Sequence, residues 1–263
     1  MDREAGSGTD LRRIEVLGVG VSAVNLDEAV GRIGEWIELG DREYVCVTGV
    51  HGVMESLKDP ALRDIHNASG MTTPDGMPLV WCGRYAGVDT MGRVYGPDLM
   101  LAVCGMSVSR EWTHYFYGAQ PGVADLLAIR LSERFPGLKV VGTQSPPFRE
   151  LSDQEIEQLA RDINALEADV IWVGLSTPKQ ERWMARVRPL LDAPVLIGVG
   201  AAFDMHAGTL KQAPLWMQRS GLEWMYRLGA EPRRLWKRYL TIVPGFLLRI
   251  VFRRPRLVSL PVK

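Results

Sequence analysis

Residues 169–204 read DVIWVGLSTPKQERWMARVRPLLDAPVLIGVGAAFD. The run DVIWVGL is short, apolar and rich in β-branched and aromatic residues, as a buried strand requires. PKQERWMARVRPLLD spaces its apolar residues at helical intervals, and VLIGVG returns to the strand pattern. Strand, helix and strand in that order make a βαβ unit, whose two strands lie parallel because the helix carries the chain back across the sheet.

The same alternation extends in both directions. RRIEVLGV is expected as a strand, followed by a helix over NLDEAVGRIGEWIELG that Asn25 or Asp27 can cap. The buried strand YVCVTGV precedes a helical stretch, HGVMESLKDPALRDIHNAS, broken near Pro60. HYFYGA precedes GVADLLAIRLSERF, and LKVVGT precedes SDQEIEQLARDINALEA, where Ser152 and Glu155 form a capping box. Helices are also expected over APLWMQRSGLEWMYRL and, after Pro232, in basic stretches without strands. The whole predicts an α/β layered fold with a mainly parallel sheet. Right-handed crossovers then gather the ligand-binding loops at the carboxyl ends of the strands.

Those ends carry the candidate site residues. Asp75 lies between Pro74 and Gly76 in TTPDGMPLVW, just before a helix expected near Met77. It reads either as a turn and cap residue or as a general base. Thr48, at a neighbouring strand end, offers a hydroxyl and by itself reads as structural. In LSTPKQERW, Lys179, Gln180 and Glu181 occupy the first turn of a helix, where anions bind; the alternative is a solvated, charged turn. Two glycine turns, GVGVSA with Gly18 and Gly20 and GVGAAF with Gly198 and Gly200, partly match a dinucleotide fingerprint, yet any tight strand exit uses glycine. The second gains from Asp204, a carboxylate suited either to ribose hydroxyls or to a helix cap. The four histidines are scattered, there is no D-x-D, and no metal site is legible.

The 263 residues balance 31 basic against 31 acidic side chains, with 46% hydrophobic and 24% charged residues. The balance hides an asymmetry. From Met205 to the end there are three Lys, nine Arg and two Glu, a net of +10, so the first 204 residues carry −10. Charge gathered at one end indicates a partner: nucleic acid, anionic lipid or a phosphate-bearing substrate. GLEWMYRLGAEPRRLWKRYL, residues 221–240, interleaves Trp224, Tyr226, Trp236 and Tyr239 with Arg227, Arg233, Arg234, Lys237 and Arg238. FLLRIVFRRPRLV repeats the mixture. No nucleic-acid motif accompanies it, so an interfacial amphipathic element is favoured over a solvated helix face. LTIVPGFLL is too short to span a bilayer, and MDREAGSGTD lacks the apolar heart of a secretory signal. Cys46, Cys82 and Cys104 lack ligand spacing and read as small buried residues in a reducing compartment. A core over residues 1–208 and a basic helical appendage over 209–263 are expected.

Taken together, TPDGMPLVW, GRVYGPDL, FYGAQPGVA, VGLSTPKQERW, IGVGAAFDMHAGTLKQAPLWMQ and GLEWMYRLGAEPRRLWKRYL resemble the WecG/TagA/CpsF family, glycosyltransferase family 26. The resemblance covers roughly residues 14–243. It implies a Rossmann-like core with a C-terminal appendage that docks on the cytoplasmic face of the inner membrane as a peripheral protein and helps complete the site. It implies transfer of a sugar, commonly N-acetylmannosamine, from UDP to a polyprenyl-diphosphate-linked sugar in bacterial surface polysaccharide assembly, with inversion and without a metal or cofactor. By motif, Asp75 resembles the general base, with Thr48 and Arg93 around sugar and acceptor. Gln180 resembles a donor-sugar contact and Asp204, in the turn with Gly200 and Ala201, a UDP contact. Arg227 and Arg234, with Arg233, Lys237 and Arg238, resemble the basic residues that meet diphosphate.

The sequence departs from the family pattern in three places. Ser176 stands where the family often has Gly, KQAP with Gln212 replaces KRAP, and SPPF replaces an HGYF-like stretch near the nucleotide. Two other classes compete: a nicotinamide-dependent oxidoreductase built on the glycine turns, and a membrane-bound scaffold that needs no Asp75. The opening strand and the appendage leave room for a homo-oligomer without fixing its subunit count.

Overall fold

The computed structural model describes residues 11–230 and 232–258, the side chains of Arg234 and Arg238 aside. RRIEVLGV, expected as one strand, is a hairpin. Arg13–Val16 (β1) and Val19–Ser22 (β2) pair antiparallel about Leu17 and Gly18, at φ 54° and 91°. Two successive left-handed residues make the tight turn whose twist matches paired strands. Helix Leu26–Leu39 (α1) is capped by Asn25, not Asp27: the Asn25 side chain accepts from the Glu28 N–H while the Glu28 carboxylate accepts from the Asn25 N–H.

Strand Glu43–Thr48 (β3) leads into helices Val50–Lys58 (α2) and Pro60–Ala68 (α3). Asp59 divides them. It ends the first and caps the second by accepting from the Leu62 N–H at 3.1 Å, with Pro60 where no N–H is needed. Strand Met71–Pro74 (β4) runs into the Asp75 turn and helix Met77–Tyr85 (α4), close to where the pattern placed it. Helix Gly96–Arg110 (α5), which the pattern left unassigned, precedes strand Thr113–Gly118 (β5), helix Val123–Arg134 (α6) and strand Lys139–Gln144 (β6). Helix Asp153–Asn164 (α7) carries the expected Ser152–Glu155 capping box. Strand Val170–Gly174 (β7), helix Lys179–Val187 (α8) and strand Val195–Gly198 (β8) form the βαβ unit of the opening stretch.

Six strands form one parallel sheet in the order β4-β3-β8-β7-β5-β6. The chain runs out to β4, crosses to β5 and β6, then fills the gap with β7 and β8. Exits of neighbouring strands therefore collect along one edge: Thr48 pairs with Pro74, Val173 with Gly198 and Gly118 with Gly174. One face buries Val45, Phe116, Trp172 and Ile197 against Ile33, Leu99, Leu127 and Phe203. The other buries Tyr117, Ile171 and Leu196 against Ile156, Ile163 and Met184. Each such side chain contributes about 1.5–3 kcal/mol when removed from water. The Rossmann-like α/β fold expected from the alternation is thus the fold of the chain.

The C-terminal segment continues through helices Ala202–Ala207 (α9), Leu215–Arg219 (α10), Glu223–Ala230 (α11) and Pro232–Phe252 (α12). The helix expected over residues 213–228 is broken between α10 and α11, where Gly221 takes φ 74°. Helix α12 passes through Pro244 and ends in a strand, Arg256–Val258 (β9), where none was expected. Strand β9 pairs antiparallel with β1 in a second sheet, β2-β1-β9. Ile242 and Phe246 of α12 are buried with Ile14, Val53 and Leu79 in a third cluster. Among the described residues no helix is long and apolar enough to cross a membrane. Cys46, Cys82 and Cys104 are free and buried.

Candidate active site

A cleft of about 1770 Å³ opens where the sheet's strand exits meet α11 and α12. Asp75, Arg93, Lys179, Gln180, Gly200, Ala201, Asp204, Trp224 and Arg227 all line it, although they come from five separate stretches of sequence.

Asp75 is fixed by its backbone. Its N–H donates to the Thr48 carbonyl at 2.9 Å, continuing the β3–β4 ladder by one step. Gly76 follows at φ 115°, a region that glycine enters without steric cost, and caps α4 without a side chain. On the other side Gly49 leaves space for the aspartate: a Cβ there would stand 3.0 Å from the Asp75 carbonyl and 3.8 Å from its Oδ2. Burial, with the Glu223 carboxylate adding to it, raises the Asp75 carboxyl to about 6 against the pull of Arg93 and Arg227.

Thr48 lies beneath this floor. Its side chain is buried and donates to the Cys46 carbonyl at 3.3 Å. It holds Asp75 through its carbonyl rather than presenting a hydroxyl to the cleft.

Arg93 is anchored on three sides. It donates to Gln218 Oε1 at 3.1 Å and to Glu223 Oε2 at 2.5 Å, and its guanidinium lies 3.9 Å above the centre of the Tyr95 ring. Glu223 Oε1 also accepts from the Tyr95 hydroxyl at 3.0 Å and faces Arg227 Nε at 3.7 Å. One carboxylate thus joins α11 to the core loop before α5. Sequence reasoning missed Glu223, Tyr95 and Gln218. The signal was present: Glu223 is one of two acids in a strongly basic segment and precedes Arg227 by one helical turn.

The first turn of α8 is not the solvated surface that its charges allow. Lys179 is exposed, whereas Gln180 and Glu181 are 2% and 0% exposed. Gln180 Nε2 donates to Glu181 Oε1 at 3.2 Å, and the Thr177 hydroxyl donates to the same oxygen at 2.7 Å. Burial pushes the Glu181 carboxyl up. Among the described residues, Gln180 Oε1 has no hydrogen-bond partner, and it sits beneath Gly200 at the cleft. Asp204 lies in the first turn of α9 but does not cap it; Ala201 holds that position. The Asp204 carboxylate accepts from the Thr209 hydroxyl at 3.2 Å.

The glycines expected as strand exits divide. Gly18 belongs to the hairpin turn and Gly20 to β2, away from the cleft, while Gly198 ends β8 and Gly200 lines the cleft. Ser176, where the family pattern favours Gly, adopts φ 62°. The SPPF stretch also reaches the cleft. Pro146, Pro147 and Phe148 line it, and the Ser145 hydroxyl donates to the carbonyls of Gly118 and Gln120 at 3.2 and 3.1 Å. Nearby, the Tyr117 and Trp183 rings stack at 4.3 Å.

The basic segment serves two places. Trp224 and Arg227 line the cleft, with Trp224 packed at 5.8 Å against Tyr239. Arg233, Trp236 and Lys237 are exposed on α12 outside the lining, with the Lys237 ammonium 5.5 Å from the Trp236 ring. The side chains of Arg234 and Arg238 fall outside the described residues.

The profile of the Glycosyl transferase WecG/TagA/CpsF family matches residues 14–259, nearly the whole chain. The chain belongs to this family. Among curated relatives of the family, the N-acetylglucosaminyldiphosphoundecaprenol N-acetyl-beta-D-mannosaminyltransferase of Bacillus subtilis strain 168 is 31% identical over 196 residues, 74% of each chain. The enzyme of the same name from Bacillus spizizenii strain W23 is 30% identical over 188 residues, 72% of this chain and 71% of that one. Membership of the WecG/TagA/CpsF family makes the chain a sugar-transferring enzyme of cell-envelope polymer biosynthesis. It sets aside both the oxidoreductase and the silent scaffold.

Proposed function

We propose that this glycosyltransferase moves an N-acetylmannosamine-type sugar from UDP to a polyprenyl-diphosphate-linked sugar, by single displacement, with inversion and without a metal. The observation that carries the reading is Asp75: a carboxylate held near pKa 6 in a cleft that it shares with two arginines. It is ionised at neutral pH yet more basic than an ordinary aspartate, as removal of an acceptor hydroxyl proton requires. The relatives' names supply the sugar and the lipid diphosphate.

In this reading the acceptor hydroxyl attacks the anomeric carbon on the face opposite UDP and gives its proton to Asp75. Asp204, Gly200 and Ala201 hold the nucleotide, and the free Gln180 Oε1 accepts from a donor-sugar group. Charge that develops on the leaving diphosphate meets Arg227, Arg93, Lys179 and the partial positive charge of the α8 N-terminus. Glu223, which now occupies both arginines, yields them when diphosphate arrives.

The described residues up to 208 form the catalytic core, and those from 209 to 258 dock on anionic lipid and complete the site. Exposed Arg233, Trp236, Lys237, Leu240 and Phe252 support a peripheral position at the cytoplasmic face of the inner membrane.

Calorimetric titration of UDP in EDTA, beside an Asp204→Ala variant, tests the donor half. Product analysis from UDP-N-acetylmannosamine and a lipid-diphosphate N-acetylglucosamine tests the rest. Metal-free UDP binding that weakens at least tenfold in the variant, with an inverted product, is expected. A strict requirement for Mg²⁺ or a retained anomeric configuration overturns the scheme.

A further inference from the structure

The catalytic cleft does not end at its charged residues. Apolar side chains of α4 and α12 extend its lining as a channel. Val243, Leu247, Ile250 and Val251 line it from α12, spaced as one helical stripe. Trp81 and Tyr85, one turn apart on α4, also line it. From Tyr239 to Val251 the helical wall is about 18 Å long. Four of these side chains are widely exposed: Trp81 at 49%, Tyr85 at 60%, Leu247 at 60% and Val251 at 68%. Exposed large apolar side chains from two helices in the lining of one cleft cost solvation unless something apolar covers them.

We propose that this channel holds the isoprenoid chain of the acceptor, with its diphosphate beside Arg93 and Arg227; the inference rests on the acceptor reading above. Continuity selects this occupant. The lining carries Arg93 and Arg227, cations that suit a diphosphate, together with Trp224 and Tyr239, which pack together at 5.8 Å, and the apolar stripe of α12. Gly221, between α10 and α11, makes the junction possible: a Cβ there would stand 2.9 Å from the Trp81 ring. A head group that is anionic and a tail that is hydrocarbon match these two kinds of lining. Further round α12, exposed Leu248 and Phe252 lie outside the channel lining, so the apolar surface runs on to the outer face. The chain would pass from bilayer to cleft along one helix.

Calorimetry on the full chain, in buffer without bilayer or detergent, separates a channel from a membrane-facing surface. Farnesyl diphosphate is expected to bind at least tenfold more tightly than methyl diphosphate. The Leu247→Ser/Val251→Ser double variant should lose that preference while its methyl diphosphate affinity stays within about twofold. Tyr85→Ser, on α4, should weaken the same preference independently. Equal binding of the two diphosphates by the unsubstituted protein overturns the channel, as does a preference that survives in both variants. Failure of the unsubstituted enzyme to glycosylate any lipid-diphosphate sugar, with the farnesyl preference intact, would instead sink the acceptor reading and leave the channel standing.

Discussion

Glu223 raises the pKa of Asp75 and at the same time holds Arg93 and Arg227, the two cations that lower it. The site is therefore balanced around one carboxylate from α11. Because α11 lies beyond the core's last strand, the position of the C-terminal segment adds to the effect of burial on the proton affinity of a residue in the core.

The sign of a change at Glu223 follows from this. Its negative charge favours protonated Asp75, so Glu223→Gln removes that push and leaves two arginines to stabilise the carboxylate. For the unsubstituted enzyme, kcat/KM should fall about tenfold per pH unit below about pH 6, as the base becomes protonated. In Glu223→Gln the same acid limb should begin at lower pH. A pH–rate profile measures it, and an acid limb that stays in place or moves upward contradicts the coupling.

Arg93 makes two hydrogen bonds in different directions and covers the Tyr95 ring. A lysine keeps the charge but has no planar fork to divide between Gln218 and Glu223. Arg93→Lys should therefore reduce kcat/KM by about 10–100-fold, with kcat falling more than KM rises if the lost interaction belongs to the transition state. Steady-state kinetics with saturating donor decide it; a variant within twofold of the unsubstituted enzyme would mean that only the charge matters.

Ser176 at φ 62° occupies the left-handed region, which costs a side-chain-bearing residue roughly 1–2 kcal/mol. Ser176→Gly should stabilise the protein by about 0.5–1 kcal/mol after the unfolded chain's added freedom is subtracted. Urea unfolding shows this as a higher midpoint with an unchanged slope. A lower midpoint would mean that the serine side chain contributes more than its backbone conformation costs.

Much of the fold was legible because the parallel sheet writes itself as alternating strand and helix periods. β7, α8 and β8 fall close to where their apolar spacing puts them, and the Ser152–Glu155 box marks the start of α7. The hairpin at Leu17 and Gly18 was not legible, because LGVGVS reads equally well as one strand followed by a glycine turn. β9 was hidden because three residues carry too little pattern to stand out from basic flanking sequence. Within the site, Asp75, Arg93, Gln180 and Asp204 were found by motif and meet in one cleft. Thr48 was found too, but its part is played by a backbone carbonyl that no side-chain reading reveals. Glu223 escaped notice because its importance is relational: only the fold brings it to Arg93 and Tyr95, 130 and 128 positions earlier in the chain. Gln180 and Glu181 show the converse. Their polarity suggested solvent, and only packing shows them buried.

The central claim is that Asp75 removes the acceptor proton. Its most direct test is single-turnover transfer by Asp75→Asn at pH 7.5, beside a UDP titration of the same variant. Asparagine keeps the size of the side chain and removes its basicity. Transfer should fall by about 10²–10⁴-fold, while UDP affinity stays within about threefold. Transfer at the unsubstituted rate, with UDP bound normally, would mean that the proton leaves by another group and that Asp75 is not the base.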